Sequence, residues 1–506
     1  VTSGHLEIEA KYDVPEGFEL PALDGLAGVP EVGEPVQHDL EAVYHDTSDL
    51  RLLRARVTLR RRTGGPDAGW HLKLPAGAAR RELHAPLGRA VKKPPRALAA
   101  PVTGILRGAP TSPVATLRTR RVVSRLRDGD GQVLAEVADD HVTATVPAVV
   151  PGEPIEVHTW REIEVELGTG DEELMAAVAE RLLAAGARPA SSASKVGRVL
   201  AGRLATTGRP QPERRKKGPR AGELVTAALA DQVGLLQAAD VALRTDQPDA
   251  VHQLRVAARR LRSTMAALRT VLDRQATDPL RAELSWLGGE LSRARDDEVA
   301  LAHLRELVSQ QPVELVLGPV EARLREMQAA GEQAGLDRAR ATLSDRRYLR
   351  LLDALHGLVA DPPLTERADE RVEPVLRDAV GRSVRRLRRR LKEAERAPED
   401  DEPLHRVRKA AKGVRYVTEI ARPELGGAKD IVRVAKRIQK VLGVLQDTVV
   451  TRELCLRAGA AAVEDGENAF TYGLLHALEQ ARADRARQEF WSGEPGLRRA
   501  LKRAAR

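Results

Sequence analysis

At 506 residues the chain is too long for one ordinary core, so two or three domains are expected, and 42% hydrophobic content supports folded domains over disorder. A formal net charge of +9, with 31% charged residues and a pI near 9.7, favours polyanionic partners, whereas 2% aromatic content disfavours nucleic acid, whose single strands are held on stacking rings. The single cysteine, Cys455, excludes an intrachain disulfide and a cysteine-rich zinc site and fits a reducing, cytoplasmic compartment. No run of about 18 apolar residues suggests a transmembrane helix, no apolar stretch near Val1 suggests a secretory signal, and no membrane partner is expected.

Residues 1–205 read as β-rich. Alternating segments recur in the order HLEIEAKY, LEAVYHDT, ARVTLRRRT, WHLKLP, RRELHAPL, TLRTRRVVSRL, VLAEVADDHVTATV and WREIEVELG. Turns such as Thr63-Gly64-Gly65-Pro66 and Asp128-Gly129-Asp130-Gly131 separate them. A helix is predicted at about 171–186, with acids in its first turn and Gly186 at its end. This spacing suggests an eight-stranded antiparallel meander closing into a barrel. Residues 206–222, rich in Pro, Gly and basic charge, read as a linker. Residues 223–506 are helical in pattern, with breaks near Gln247-Pro248, Asp278-Pro279, Gln311-Pro312, Asp361-Pro362-Pro363 and Pro398–Pro403. The expected fold class is α+β and multidomain: a β-barrel tunnel with flanking helices, then an all-α half.

The first strand alternates Leu6, Ile8 and Ala10 with Glu7, Glu9 and Lys11. WREIEVELG repeats this, with Glu162, Glu164 and Glu166 opposite Ile163, Val165 and Leu167. Carboxylates in a row repel and need cations nearby, which Arg60, Arg62, Lys73, Arg120 and Arg125 supply from other strands. With the charged faces turned into the barrel and the apolar faces outward under helices, acids and bases share one cavity. Such a cavity suits a phosphorylated ligand gripped by cations, with a hard divalent ion, Mg²⁺ or Mn²⁺, on clustered carboxylates.

HLEIEAK resembles the ExExK signature of the CYTH family, the triphosphate tunnel metalloenzymes, and YHDT, LRRR, WHLKLP, EIEVEL and SASKVGR follow in that family's order. The resemblance implies a tunnel that binds a triphosphate and a metal. It assigns Glu7, Glu9, Glu162, Glu164 and Glu166 to the metal and Lys11, Arg60, Arg62, Lys73, Arg120 and Lys195 to the phosphates. Glu7, Glu9 and Lys11 become the catalytic candidates, with Asp46 and Glu136 as further lining residues. His71 stands where the family pattern suggests a hydroxyl residue. RRELH leaves its register open, with either Arg80 and Glu82 or Arg81 alone facing inward.

The helical half contains a repeat. VHQLRVAARRLRS matches LHRVRKAAKGVRY, pairing His252, Arg255, Arg259 and Arg262 with His405, Arg408, Lys412 and Arg415; ELSRARDDEV and VLGVLQDTVV set Asp296 opposite Asp447. The four cations of the first copy fall at i, i+3, i+7 and i+10, one helical stripe, apart from an apolar stripe of Leu254, Ala258, Leu261 and Met265. No acid is interspersed, so the stripe calls for an anion. No acid partner makes His252 or His405 a general base, and both are assigned to anion contact. SVRRLRRRLK at 383–392 is either a second anion contact or a solvated face. These motifs resemble the CHAD domain, which implies two four-helix bundles related by pseudo-twofold symmetry whose basic stripes bind inorganic polyphosphate. The second copy has Lys412 and Gly413 where the first has Arg259 and Arg260, so the two need not bind equally.

The expected function is a metal-dependent hydrolase of inorganic triphosphate with a polyphosphate-binding domain attached, cytoplasmic, with polyphosphate granules as a place of association. The alternatives are a non-catalytic polyphosphate-binding protein and, less favoured, an adenylate cyclase.

Overall fold

The computed structural model describes residues 3–504 apart from 27, 78, 89–92, 149–151, 153, 207–218 and 423; side chains at 3–5, 206, 292–298 and 500–504 are not described. The chain divides into two compact units, Val1–Gln211 and Pro212–Arg506. Most of the basic linker read at 206–222 lies outside the described residues.

The first unit is built on one antiparallel sheet. Its strands are β1 (Ser3–Glu7), β2 (Glu9–Val14), β3 (Glu31–Val32), β4 (Val36–Asp46), β5 (Thr58–Thr63), β6 (Gly69–Ala76), β7 (Ala79–Pro86), β8 (Ser112–Arg127), β9 (Val133–Val146), β10 (Glu156–Leu167) and β11 (Arg188–Pro189). The order is β1-β7-β6-β5-β4-β8-β9-β10-β2-β11, with β3 beside β8. β1 and β2 are halves of one segment interrupted at Ile8, whose carbonyl accepts from Leu167 N–H at 3.0 Å. One half pairs with β7 and the other with β10, so the sheet curls until two distant strands meet on the same stretch. The segment HLEIEAKY overlaps both β1 and β2, and each other alternating segment read in the sequence overlaps one strand.

Alternation then sorts the side chains. Ile163, Val165, Val137, Ala135 and Leu126 turn outward beneath the helix Glu172–Ala184, which covers them with Leu174, Val178 and Leu182. Those three residues recur every fourth position and lie on one helical face. The Asp171 carboxylate caps the helix by accepting from Leu174 N–H at 2.9 Å, an interaction typically contributing about 1 kcal/mol. The cover does not reach β1: Leu6 and Ile8 are exposed, and that face packs on this core only from Ala10 onward, with Tyr12 and Val14. A second cluster, including Leu117, Val142 and Ala144, packs under Val196, Val199 and Leu200. The inner face is therefore apolar at that end rather than charged throughout.

The second unit is helical from Ala221–Arg244 to Phe470–Ala504. The break expected at Asp278-Pro279 falls inside the helix Arg274–Glu290, where Pro279 is accommodated with one N–H fewer. Leu254, Ala258, Leu261 and Met265 are all buried, as are Leu404, Val407, Ala411 and Val414 of the second copy, and all eight belong to one core cluster. Among the described residues only Ala221–Arg244 has the length and apolar composition of a membrane span. Its Val225, Leu229, Val233, Leu236 and Leu243 enter the core instead. Its buried Asp240 accepts from Arg244 and Tyr348, so it packs as a core helix.

Candidate functional sites

In the first unit the inward side chains of β1, β2 and β4–β10 enclose a cavity of about 410 Å³. Strand register sets its layers. Glu9, Glu166, Glu136 and Arg125 stand side by side across β2, β10, β9 and β8. Lys11 faces Glu164, and deeper in, Glu162, Asp140 and Arg121 form a third row. On the other wall Arg60 is level with His71, and Thr58 with Lys73 and Glu82.

Oppositely charged groups meet at close range. Lys73 Nζ lies 2.5 Å from Glu7, and Lys11 Nζ lies 2.8 Å from Glu9 and also bonds Glu164. Lys195 is held by Asp140, Glu162 and Glu164 at 2.9, 2.7 and 2.6 Å. It reaches them because Ser194 Oγ caps its short helix, Lys195–Val199, by accepting from Gly197 N–H at 3.0 Å. Burial opposes charge on Lys195, but the three carboxylates outweigh it and raise the ammonium pKa. Burial likewise opposes charge on Glu164, yet Lys11, Lys195 and Arg121 hold it well below the usual carboxylate range. Glu7 moves the other way: burial and a hydrogen bond with Glu82 push it up. Glu82 also lies 2.7 Å from His71 Nδ1, while His71 Nε2 donates to the Asp67 carbonyl at 2.9 Å.

Of the residues singled out in the sequence, Glu7, Glu9, Lys11, Arg60, Arg62, Lys73, Glu136, Glu164, Glu166 and Lys195 line this cavity together. Glu162 is buried behind it, between Lys195 and the Trp160 indole. Arg120 is exposed on the opposite face of β8, level with Asp39 and His141, and its neighbour Arg121 points in. Asp46 does not line the cavity; its carboxylate ties the β4 turn by accepting from Thr47, Leu52 and Leu53 N–H at 2.7–2.9 Å. In the open register of RRELH, Arg80 and Glu82 face inward. Sequence reasoning missed Tyr44, Arg121 and Asp140. The alternation Glu136, Ala138, Asp140 held the signal for the last of these.

The donor set fits a hard cation. Asp140, Glu162 and Glu164 offer oxygens all within 4.8 Å of one another, although an ammonium sits among them. Glu166 has no hydrogen bond or ion pair with any described residue, and burial raises its pKa, with neighbouring acids adding to the effect.

The second unit holds another cavity, of about 750 Å³. His252, Arg255, Arg259 and Arg262 of the helix Ala250–Ala267 line it together with His405, Arg408 and Lys412 of the helix Asp401–Ala421. The two copies meet directly where Arg259 Nε donates to Tyr416 Oη at 3.1 Å. Arg415 lies outside, over the Tyr416 ring and 3.5 Å from Glu419. Asp447 lines the cavity; the side chain of Asp296 lies outside the described residues. His303 and Arg482, both bonded to buried Glu479, also line it and carried no motif. Burial, then Arg408, Arg259, Arg255 and Arg415, lower the Lys412 pKa to about 7.

Comparison with known proteins agrees with this division. The CYTH domain model matches residues 5–199 and the CHAD domain model residues 227–456. The uncharacterized protein MT2285 of Mycobacterium tuberculosis is 39% identical over 516 residues, covering 99% of this chain and 98% of its own. Among solved structures, PptA from Streptomyces chartreusis is 20% identical with a TM-score of 0.43, over 56% of this chain and 99% of that one. The CHAD domain from the plant Ricinus communis is 25% identical with a TM-score of 0.44, over 58% and 96%. A CYTH domain followed by a CHAD domain fits a triphosphate tunnel enzyme carrying a polyphosphate-binding domain. The chain belongs to the family that joins these two domains.

Proposed function

We propose that the first unit is a metal-dependent hydrolase of inorganic triphosphate and that the second binds long-chain polyphosphate. The curled sheet then works as an eight-stranded tunnel, and the repeated helices as a pseudo-twofold pair of four-helix bundles. One observation carries the reading: a cavity of about 410 Å³ in which cations from five strands and a capped helix face a carboxylate wall. Lys11, Arg60, Arg62, Lys73, Arg80, Arg121 and Lys195 bind the phosphate oxygens, spreading the charge of the triphosphate over fixed donors. Glu9, Glu164 and Glu166, with Glu7 beside them, hold Mg²⁺ or Mn²⁺, which when bound shields phosphoryl charge. The buried walls limit the water that reaches the terminal phosphorus. Attack by one water breaks a phosphoanhydride bond and yields phosphate and pyrophosphate.

A non-catalytic polyphosphate-binding protein is the second reading, favoured by the ammonium of Lys195 lying 2.6 Å from Glu164, one of the carboxylates that a metal would use. Phosphate release from tripolyphosphate with Mg²⁺ or Mn²⁺ separates the two. Glu9→Ala is expected to lower kcat/KM by about 100-fold or more, as loss of a metal-holding charge does. Absence of release by the unaltered protein, or undiminished release by the variant, rejects the enzyme.

A further inference from the structure

The arginines of residues 383–392 do not line the second-unit cavity. Val384, Leu387 and Leu391 of the helix Val372–Ala394 are buried in the core, which leaves Arg385, Arg386 and Arg389 exposed. The helix is fastened to the first repeat where Arg382 Nη2 donates to Thr270 Oγ1 at 3.1 Å. Thr270 follows Arg269, which lies just beyond the end of the helix Ala250–Ala267 that carries the cavity stripe.

A second connection runs through the helix Arg274–Glu290. Arg262, at the cavity wall, donates to Ser285 Oγ at 2.7 Å, and Arg281 sits one turn before Ser285 on the same face. Gly288 and Gly289 continue the wall, and a methyl group at either would meet no described atom within 4 Å. These two connections bring Arg262, Arg281, Arg269 and Arg386 into one neighbourhood, with Arg390 one turn beyond Arg386.

These guanidiniums feel one another. Burial and then Arg281 and Arg259 lower the Arg262 pKa; burial and then Arg390, Arg389, Arg269 and Arg281 lower that of Arg386. Asp278 answers Arg281 and Glu393 answers Arg390, but Arg269 and Arg386 have no ion pair with any described residue. The Trp286 ring, next to Ser285 in sequence, is covered by the Arg347 guanidinium at 4.1 Å.

We infer that this track is an exit path for polyphosphate: the part of a long chain that the cavity does not enclose runs from Arg262 over Arg281 to Arg269 and Arg386. The inference rests on the proposal that the second-unit cavity binds polyphosphate, and it adds a preference for length that the cavity alone does not supply. Charge on successive phosphates releases counterions as each arginine is matched, so every contact on the track increases salt dependence.

The test compares short-chain and long-chain polyphosphate on the full protein, titrated over a range of salt. In Arg269→Glu/Arg386→Glu, long-chain affinity is expected to fall about tenfold and the salt slope by about 1.4, at about 0.7 per lost contact, with short-chain affinity within about twofold. Arg269→Gln/Arg386→Gln should show the same pattern more weakly, and matching thermal melts exclude misfolding. Long-chain binding as tight as in the unaltered protein, or equal loss for both lengths, overturns the track. Arg255→Glu/Arg408→Glu tests the cavity separately: unchanged binding of both lengths there rejects the underlying reading instead. Single-stranded DNA at equal phosphate concentration should bind more weakly and discriminate less between variants; equal behaviour overturns the assignment to polyphosphate.

Discussion

Lys412 shows what a cation costs without a counter-charge. It has no hydrogen bond or ion pair with a described residue, and the groups around it are Arg408, Arg415, Arg255 and Arg259, with His405 and Asp447 also on the cavity wall. Its pKa of about 7 lies below the ordinary lysine value, so between about pH 7 and 10 the unfolded chain binds a proton that the folded one does not. The group's contribution to stability therefore rises with pH across that window and is least favourable below it. A bound polyanion supplies the missing charge and restores the proton. At pH 8, calorimetry of polyphosphate binding in buffers of different ionisation heat should show uptake of up to about one proton. The uptake should vanish in Lys412→Arg, which stays charged throughout. Heats independent of buffer in the unaltered protein refute the prediction. His405 does not mimic the effect, because burial and then Lys409 hold its pKa below the ordinary histidine value. The residue scale also marks where reading the sequence fell short. Seven of the eight residues taken from the stripe spacing line the cavity, because helical period and side-chain direction are tightly linked. The spacing failed at Arg415, where a neighbouring tyrosine ring and Glu419 offer a nearer partner than the cavity.

Elements turn these residues into sites. β5 and β6 carry Arg60, Arg62 and Lys73, and the turn between them requires Gly64. Its φ is +78°, and a methyl group there would lie 2.0 Å from the Asp39 carbonyl oxygen. Gly131, with φ +80°, has the same conformation but open space around it. Gly64→Ala should therefore cost about 2 kcal/mol or more in urea unfolding, and Gly131→Ala only about 1 kcal/mol. Equal costs would show that backbone conformation alone matters at this turn. Strand alternation was legible where charged and apolar residues alternated cleanly, as in Glu162–Leu167. It misled at TLRTRRVV: with Arg118, Arg120 and Arg121 in one run, composition does not say which side faces in, and the pairing of β8 with β4 and β9 decides for Arg121. Glu82 stayed open for the same reason, since RREL offers two registers of equal polarity and the pairing with β6 selects one.

At the scale of the molecule, each unit carries its own cores: two clusters in the first, and the large shared cluster plus a smaller one around Leu304, Leu324 and Tyr472 in the second. Residues 1–211 and 212–506, expressed apart, should each unfold in one cooperative transition. The first fragment should keep hydrolysis of tripolyphosphate and the second polyphosphate binding, each within about threefold of the whole chain, as expected when coupling is at most about 1 kcal/mol. A fragment that fails to fold would mean that the units depend on each other. The division into a strand-rich and a helix-rich half was readable from periodicity alone. That both repeats share one core was not, because a repeat in sequence does not say whether its copies pack apart or together.

The segment 3–14, stitched to β7 on one side and β10 on the other, also dictates an order of events. Lys11 must wait for Glu164, 153 positions later, before its strand has a neighbour. On the ribosome this stretch emerges well ahead of its partners and is completed late, keeping its acids and bases in water until the final long strand arrives. Closure is then the last act in making the chamber, and no anion can be trapped before the walls that read it are in place.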